Sequence, residues 1–396
     1  MSKPDASNAA SGRRRKPETE VVTAGRNPMA HHGAVNPPVY HVSTLLHPTL
    51  ESLEKRTQAY SYGRRGSPTS QALSDAITRL EGGAGAVLAP SGYAAVTLAL
   101  MSVAGSGDHI LVTDSAYGPT RTFCDKTFSR FGVETTYYDQ TIGAGIADLM
   151  RPNTRAVFCE SPGSLTFEVQ DIPAIADVAH KRGAVVIADN TWATPLLFDA
   201  FAHGVDINLH AATKYIVGHS DAMLGVVTAN AAHVKALRDT HGNLGMHVGP
   251  DDVYLGQRGL RTLAVRLKQH QQTALTLAHW LQRRPEVARV LYPALPDDPG
   301  HKLWLRDFKG ASGLFGVVLK PVTQKALAAM MDHMELFGMG WSWGGYESLI
   351  VPAHIIRTAR KFEAEGPVLR IHAGLENVDD LIADLEAGLD RLNKAA

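Results

Sequence analysis

Cysteine is scarce in this sequence: two residues in 396, Cys124 and Cys159. Two thiols make no disulfide framework, so a small secreted scaffold held by bridges is excluded and a reducing, cytoplasmic setting is expected. Net charge is lacking too, with 39 Lys and Arg against 39 Asp and Glu. A chain without a basic excess offers nucleic acid or an anionic membrane little electrostatic attraction, and neither is expected as a partner. Long apolar runs are missing: even 94–104 is broken by Thr97 and Ser102, far from the roughly 18 residues of a membrane span. The 18 histidines form neither H-E-x-x-H nor a Cys/His cluster with ligand spacing, so no metal is expected. The basic cluster at 13–16 sits in a Ser, Pro, Asn and Ala-rich leader without the apolar stretch of a secretory signal. Residues 1–20 read as a disordered tail.

The remaining composition, 44% hydrophobic and 20% charged, is that of a globular chain long enough for about two domains. From about 83 to 230, short apolar runs alternate with amphipathic stretches, the pattern of an α/β fold with a largely parallel sheet covered on both faces. Strands are expected at 86–89, 109–113, 156–159, 185–188, 207–210 and 226–229. A long helical pattern runs from Asp251 towards Arg284, where Pro285 stops it. It leads into a small α+β domain: strand 314–319, helix 323–334, an aromatic and Gly-rich loop 337–346, strand 368–372 and a closing helix from Asn377.

In open α/β sheets ligands sit beyond the carboxyl ends of the strands, so the loops there come first. Ser91-Gly92-Tyr93 opens a helix directly after a strand; it is a phosphate site or a plain helix cap. Tyr117, in the next such loop, stacks on a flat heterocycle or packs in a core or interface. Asp189 ends one apolar run and Lys214 follows another, 25 residues on, the length of one crossover between neighbouring strands. Their convergence has two readings. One is a salt bridge, which is a poor stability device when buried, because each ion gives up several kcal/mol of solvation. The other is pyridoxal phosphate (PLP) chemistry, with the aspartate on the pyridine nitrogen and the lysine, its pKa depressed by burial, as covalent anchor and base.

The stretch Ala211-Ala212-Thr213-Lys214-Tyr215-Ile216-Val217-Gly218-His219-Ser220-Asp221-Ala222 resembles the lysine-bearing segment of the Cys/Met-metabolism family of PLP enzymes. Three further strings agree in order: Tyr62-Gly63-Arg64-Arg65-Gly66-Ser67-Pro68-Thr69, Glu160-Ser161-Pro162-Gly163-Ser164 and Ala188-Asp189-Asn190-Thr191-Trp192. Ser342-Trp343-Gly344-Gly345-Tyr346-Glu347-Ser348-Leu349 is similar to the branch that cleaves cystathionine by β-elimination. The likeness runs from about residue 20 to the C-terminus. It implies PLP fold type I, with a mainly parallel seven-stranded sheet domain at 61–250, a small C-terminal domain at 251–396 and an N-terminal arm at 21–60 against a neighbouring subunit.

The resemblance also implies roles. Lys214 holds the cofactor and moves the Cα proton; Asp189 pairs with the pyridine nitrogen; Tyr117 stacks on the ring. Gly92, Tyr93 and Thr213 bind the phosphate, while Tyr62 and Arg64 reach it from the neighbouring protomer. Active sites are then shared within dimers, themselves paired into homotetramers. Arg370 clamps the substrate α-carboxylate, helped by Ser342 and Trp343. Tyr93 stands where many relatives carry a smaller residue or Met, and its backbone amide serves regardless. The implied reaction is conversion of L-cystathionine to homocysteine, pyruvate and ammonia, a step of methionine synthesis. The alternative is γ-elimination or γ-replacement on cystathionine or an O-acylhomoserine.

Three other patterns carry less. Gly340-Trp341-Ser342-Trp343-Gly344 matches the G-x-S-x-G elbow of serine hydrolases, but no helix signal follows it and no His lies beyond Asp379. Gly82-Gly83-Ala84-Gly85 precedes its strand, against a dinucleotide fingerprint. Cys124 and Cys159 read as small buried hydrophobes.

Overall fold

The computed structural model describes residues 15–395. Among these residues the first sheet has seven strands: β1 Gly85–Ala89, β2 His109–Thr113, β3 Glu134–Tyr138, β4 Thr154–Glu160, β5 Val185–Asp189, β6 Ile207–His210 and β7 Gly225–Ala229. Their order is β1-β7-β6-β5-β4-β2-β3, parallel throughout except for β7, which runs antiparallel to both neighbours. Every residue of β2, β6 and β7 is buried, as a sheet sandwiched between helices requires. The six strands expected from apolar runs are all present. The seventh, β3, was not visible as such a run: it is an edge strand of sequence ETTYY with only Tyr138 fully covered.

The second sheet, β8 Val287–Leu291, β9 Leu314–Leu319, β10 Leu349–Pro352 and β11 Val368–His372, is antiparallel in the order β10-β11-β9-β8. The helix Pro250–Gln282, about 50 Å long at 1.5 Å per residue, runs beside both sheets. At one end Gln257 Nε2 donates to the Thr69 carbonyl at 2.7 Å, and further along His270 Nδ1 meets the Ala373 carbonyl at 2.8 Å. The largest apolar cluster is shared by both parts of the chain, joining Val186 and Trp192 to Leu277, Phe315 and Leu389.

The expected disordered tail needs correction. Residues 1–14 lie outside the described residues, but Pro17–Thr23 is a helix with Val21 fully buried. Arg261 donates to the carbonyls of Val21 and Ala24 at 2.9 and 2.8 Å, a long-range anchor that local composition does not reveal. Among the described residues no helix is long and apolar enough to cross a membrane.

One polar junction ties the small sheet's loops to the large sheet. Asp114, fully buried just after β2, accepts main-chain N–H bonds from Thr358, Ala359 and Arg360 at 2.9 to 3.2 Å. Arg121 reaches the same carboxylate at 2.7 Å. These donors hold the Asp114 carboxyl below the usual carboxylate range despite its burial.

Candidate active site

A cavity of about 620 Å³ opens beyond the carboxyl ends of β4, β5 and β6, walled on the far side by the loop around Trp341 and by β10. Asp189, last residue of β5, lies at its floor. Its Oδ1 accepts from the Thr191 N–H at 3.0 Å and the Thr191 hydroxyl at 2.5 Å, an Asx turn made possible by the i to i+2 spacing. Burial pushes its pKa up, while those two bonds, His210 and Lys214 pull it down.

Lys214 sits in the turn after β6. Its Nζ donates to Ser342 Oγ at 2.5 Å and lies 5.4 Å from the centre of the Trp343 ring. The salt-bridge reading does not hold among the described residues: the amine is bonded to a hydroxyl, with the aspartate nearby but not ion-paired. Burial first, then the charge of Arg370, lowers the amine to about 8, with Asp189 opposing.

The helix Gly92–Met101 starts at the cavity. Ser91 caps it, its Oγ accepting from Ala94 N at 3.0 Å, so the free amides left are those of Gly92 and Tyr93, which have no acceptor among the described residues. Two unclaimed N–H groups at a ten-residue helix N-terminus are an anion cradle. A β-carbon on Gly92 would lie 2.3 Å from Ala211 Cβ, so glycine lets helix and Lys214 loop approach. Thr213, on the cavity wall, accepts from Leu224 N at 2.8 Å and donates through its hydroxyl to the Leu224 carbonyl at 3.1 Å. Tyr117 lines another side, its N–H donating to Glu160 Oε2 at 2.7 Å.

Arg370, central in β11, is mostly buried and has no acid partner among the described residues: its Nη2 donates to the Ser342 carbonyl at 2.9 Å. A buried guanidinium without a counter-ion, facing a cavity, is arranged for an incoming carboxylate. Ser342 adopts φ +87°, a strained backbone for a residue with a β-carbon. The neighbouring turn is fixed by His372, whose Nε2 accepts from Gly344 N at 3.1 Å while Nδ1 donates to the Glu347 carbonyl. Gly344 itself has no room for a side chain, as a β-carbon would meet the Lys214 backbone at 2.9 to 3.0 Å.

The sequence-derived residues Lys214, Asp189, Tyr117, Gly92, Tyr93, Thr213, Arg370, Ser342 and Trp343 thus share one cavity. Tyr62 and Arg64 do not. Tyr62 is 46% exposed away from the cavity, and Arg64 Nη1 donates to the Gly242 carbonyl at 3.2 Å. Sequence reasoning missed the second-residue role of Thr191, which the Asp-x-Thr spacing signals, and the wall residues Trp341 and His354, which nothing local signals. The serine-hydrolase pattern fails in space too: Ser342 accepts from a lysine, and the next element is the strand β10. Both cysteines are free and buried, their thiols pushed up to about 12 by desolvation. No group of three or more candidate metal ligands occurs among the described residues.

PLP fits this donor set. The amide cradle with Thr213 suits a phosphate dianion, the buried carboxylate suits a pyridinium, and the partly neutral amine suits an aldehyde.

The model of the family described as Cys/Met metabolism PLP-dependent enzyme matches residues 18–390. The cystathionine beta-lyase MetC of Escherichia coli is 46% identical over 391 residues, covering 96% of this chain and 99% of that one. The cystathionine beta-lyase of Salmonella typhimurium is 46% identical over 388 residues, with 95% and 98% covered. Among solved structures, cystathionine gamma synthase from Xanthomonas oryzae pv. oryzae superposes with a TM-score of 0.90 at 32% identity, over 97% of this chain and 100% of that one.

Proposed function

Because the chain belongs to the Cys/Met metabolism family of PLP-dependent enzymes, we propose that it converts L-cystathionine and water to homocysteine, pyruvate and ammonia by β-elimination. The observation that carries the chemistry is a desolvated amine at about 8 facing the same cavity as a buried carboxylate and an unpaired guanidinium. When bound, PLP supplies an electron-withdrawing ring that accepts the electron pair left at Cα. Everything else is done by the protein.

Arg370 takes the substrate α-carboxylate and so aims the Cα–H bond. Lys214, whose low pKa leaves part of it neutral near pH 7, removes that proton; the Cβ–S bond then breaks and sulfur leaves as the thiol, taking a proton. Ser342 Oγ keeps Nζ aimed into the cavity between these roles. Asp189 holds a proton at the pyridine nitrogen, Tyr117 covers the ring, and Gly92, Tyr93 and Thr213 receive the phosphate. The higher identity to the β-lyases than to the solved γ-synthase, 46% against 32%, favours cleavage at Cβ. Product analysis tests it. Pyruvate with homocysteine is expected, and 2-oxobutyrate with cysteine would mean γ-cleavage instead.

Arg370→Ala is expected to act mainly on KM. Losing charge-assisted bonds to a carboxylate costs about 2–4 kcal/mol, or roughly 30- to 1000-fold, and steady-state kinetics with an unaltered KM would count against the clamp.

Tyr62 and Arg64 complete the phosphate site of a second copy. Their position outside their own cavity supports this, as does the apolar surface of the same arm, where Met29 and Leu46 are each 86% and Leu50 69% exposed. Pairing of such dimers gives a homotetramer, and two free cysteines suit a cytoplasmic enzyme. If Lys214→Ala and Tyr62→Phe chains are each inactive, their hybrids contain one native site per dimer. A statistical mixture should then recover roughly a quarter of wild-type activity. No recovery in confirmed hybrids would place Tyr62 in its own subunit's site.

A further inference from the structure

Glu160 closes β4 and belongs to none of the roles above. Strands β4 and β5 are parallel, and Glu160 and Asp189 are register partners at their last positions. Paired residues of neighbouring strands leave the same face about 4.8 Å apart, and both line the cavity. Two carboxyl groups therefore stand side by side at its floor.

Their partners differ. Asp189 accepts two bonds from Thr191. Glu160 accepts one, from the Tyr117 N–H, and its other oxygen has no partner among the described residues. The charged or titratable groups facing Glu160 are Asp189 from β5, Tyr117 after β2 and Arg357 from the loop beyond β10. Arg357 is already committed, donating to the Asp114 carbonyl and to the Thr166 hydroxyl.

We propose that Glu160 is a positioning residue for the reaction: its carboxyl fixes the Tyr117 main chain, and so the Tyr117 ring, without competing with Asp189 for the role of anion. This rests on the PLP reading and on Tyr117 as the stacking ring. Two adjacent carboxyls, Asp189 buried and Glu160 half-buried, do not both ionise. The better-supplied Asp189 carries the charge, and burial beside it pushes Glu160 well above the usual carboxylate range. Glu160 then serves as a neutral acid whose Oε2 accepts from one backbone amide.

The test is titration of apoprotein with PLP, following absorbance and protein fluorescence, for wild type, E160A, E160Q, Y117A and the double variant E160A/Y117A. The Y117A chain keeps the amide that Glu160 binds but has no ring to place. E160A is expected to weaken PLP binding about tenfold alone and less than twofold in the Y117A background. E160Q, neutral and able to accept the same bond, should stay within fivefold of wild type. Equal losses from E160A in both backgrounds, or no loss in either, would overturn the positioning role, as would a loss beyond fivefold in E160Q. Should E160A not fold, E160Q decides alone at the same threshold. A wild-type chain that binds no PLP would instead overturn the underlying reading, and the two failures are told apart by that control.

Discussion

Lys214→Ala is expected to abolish turnover, with a loss of at least about 10⁴-fold, because one side chain is both covalent anchor and base. The visible absorption of the bound cofactor should vanish with it. The physical basis is the environment of Nζ: buried, beside Arg370, and bonded among the described residues to the Ser342 hydroxyl. Burial first, then the Arg370 charge, holds the amine at about 8 rather than 10.5, and only the neutral form attacks an aldehyde. Covalent capture of PLP by wild-type apoprotein should therefore speed up as pH rises through about 8 and level off above it. The alanine variant should show no such phase. Stopped-flow absorbance checks both statements, and an unchanged spectrum in the variant would remove Lys214 from its role.

Asp189→Asn should be the next most damaging change, lowering kcat by about 10²- to 10³-fold and weakening PLP retention. The asparagine can keep the bond from Thr191 N–H, so the fold and the Asx turn survive. It lacks the charge that keeps a proton on the pyridine nitrogen, and an oriented charge in a buried site is among the largest catalytic contributions available. Isotope effects on Cα deprotonation separate this from misfolding: the proton-transfer step should become fully rate-limiting. Normal deprotonation rates in a PLP-loaded variant would refute the assignment.

Much of this was legible in the residues. Buried parallel strands announce themselves as apolar runs, so β1, β2 and β4 to β7 and the loops that follow them could be placed, and with them Asp189 and Lys214. In the small sheet, β9 and β11 could be placed as well, whereas β3, β8 and β10 could not. β3 carries two threonines and two tyrosines, three of the four half-covered, and β8 sets exposed Arg289 between buried ends; neither forms a run. The Ser342 contact with Lys214 spans 128 residues, and no local pattern encodes it. The carboxyl pair of Glu160 and Asp189 depends on register between strands 29 positions apart, which hydrophobic periodicity leaves open. No local pattern places Tyr62 and Arg64 outside their own cavity; the expectation that they serve a neighbouring copy comes from the family resemblance alone.

The Asp114 junction has a consequence for biosynthesis. Its three amide donors come from residues 358–360, and the guanidinium meant for substrate comes later still, at 370. Once a ribosome has added Ala229 and before it reaches residue 370, every strand of the larger sheet exists and the substrate clamp does not. A chain truncated before Arg370 is therefore expected to keep every strand of its first sheet and to show no turnover.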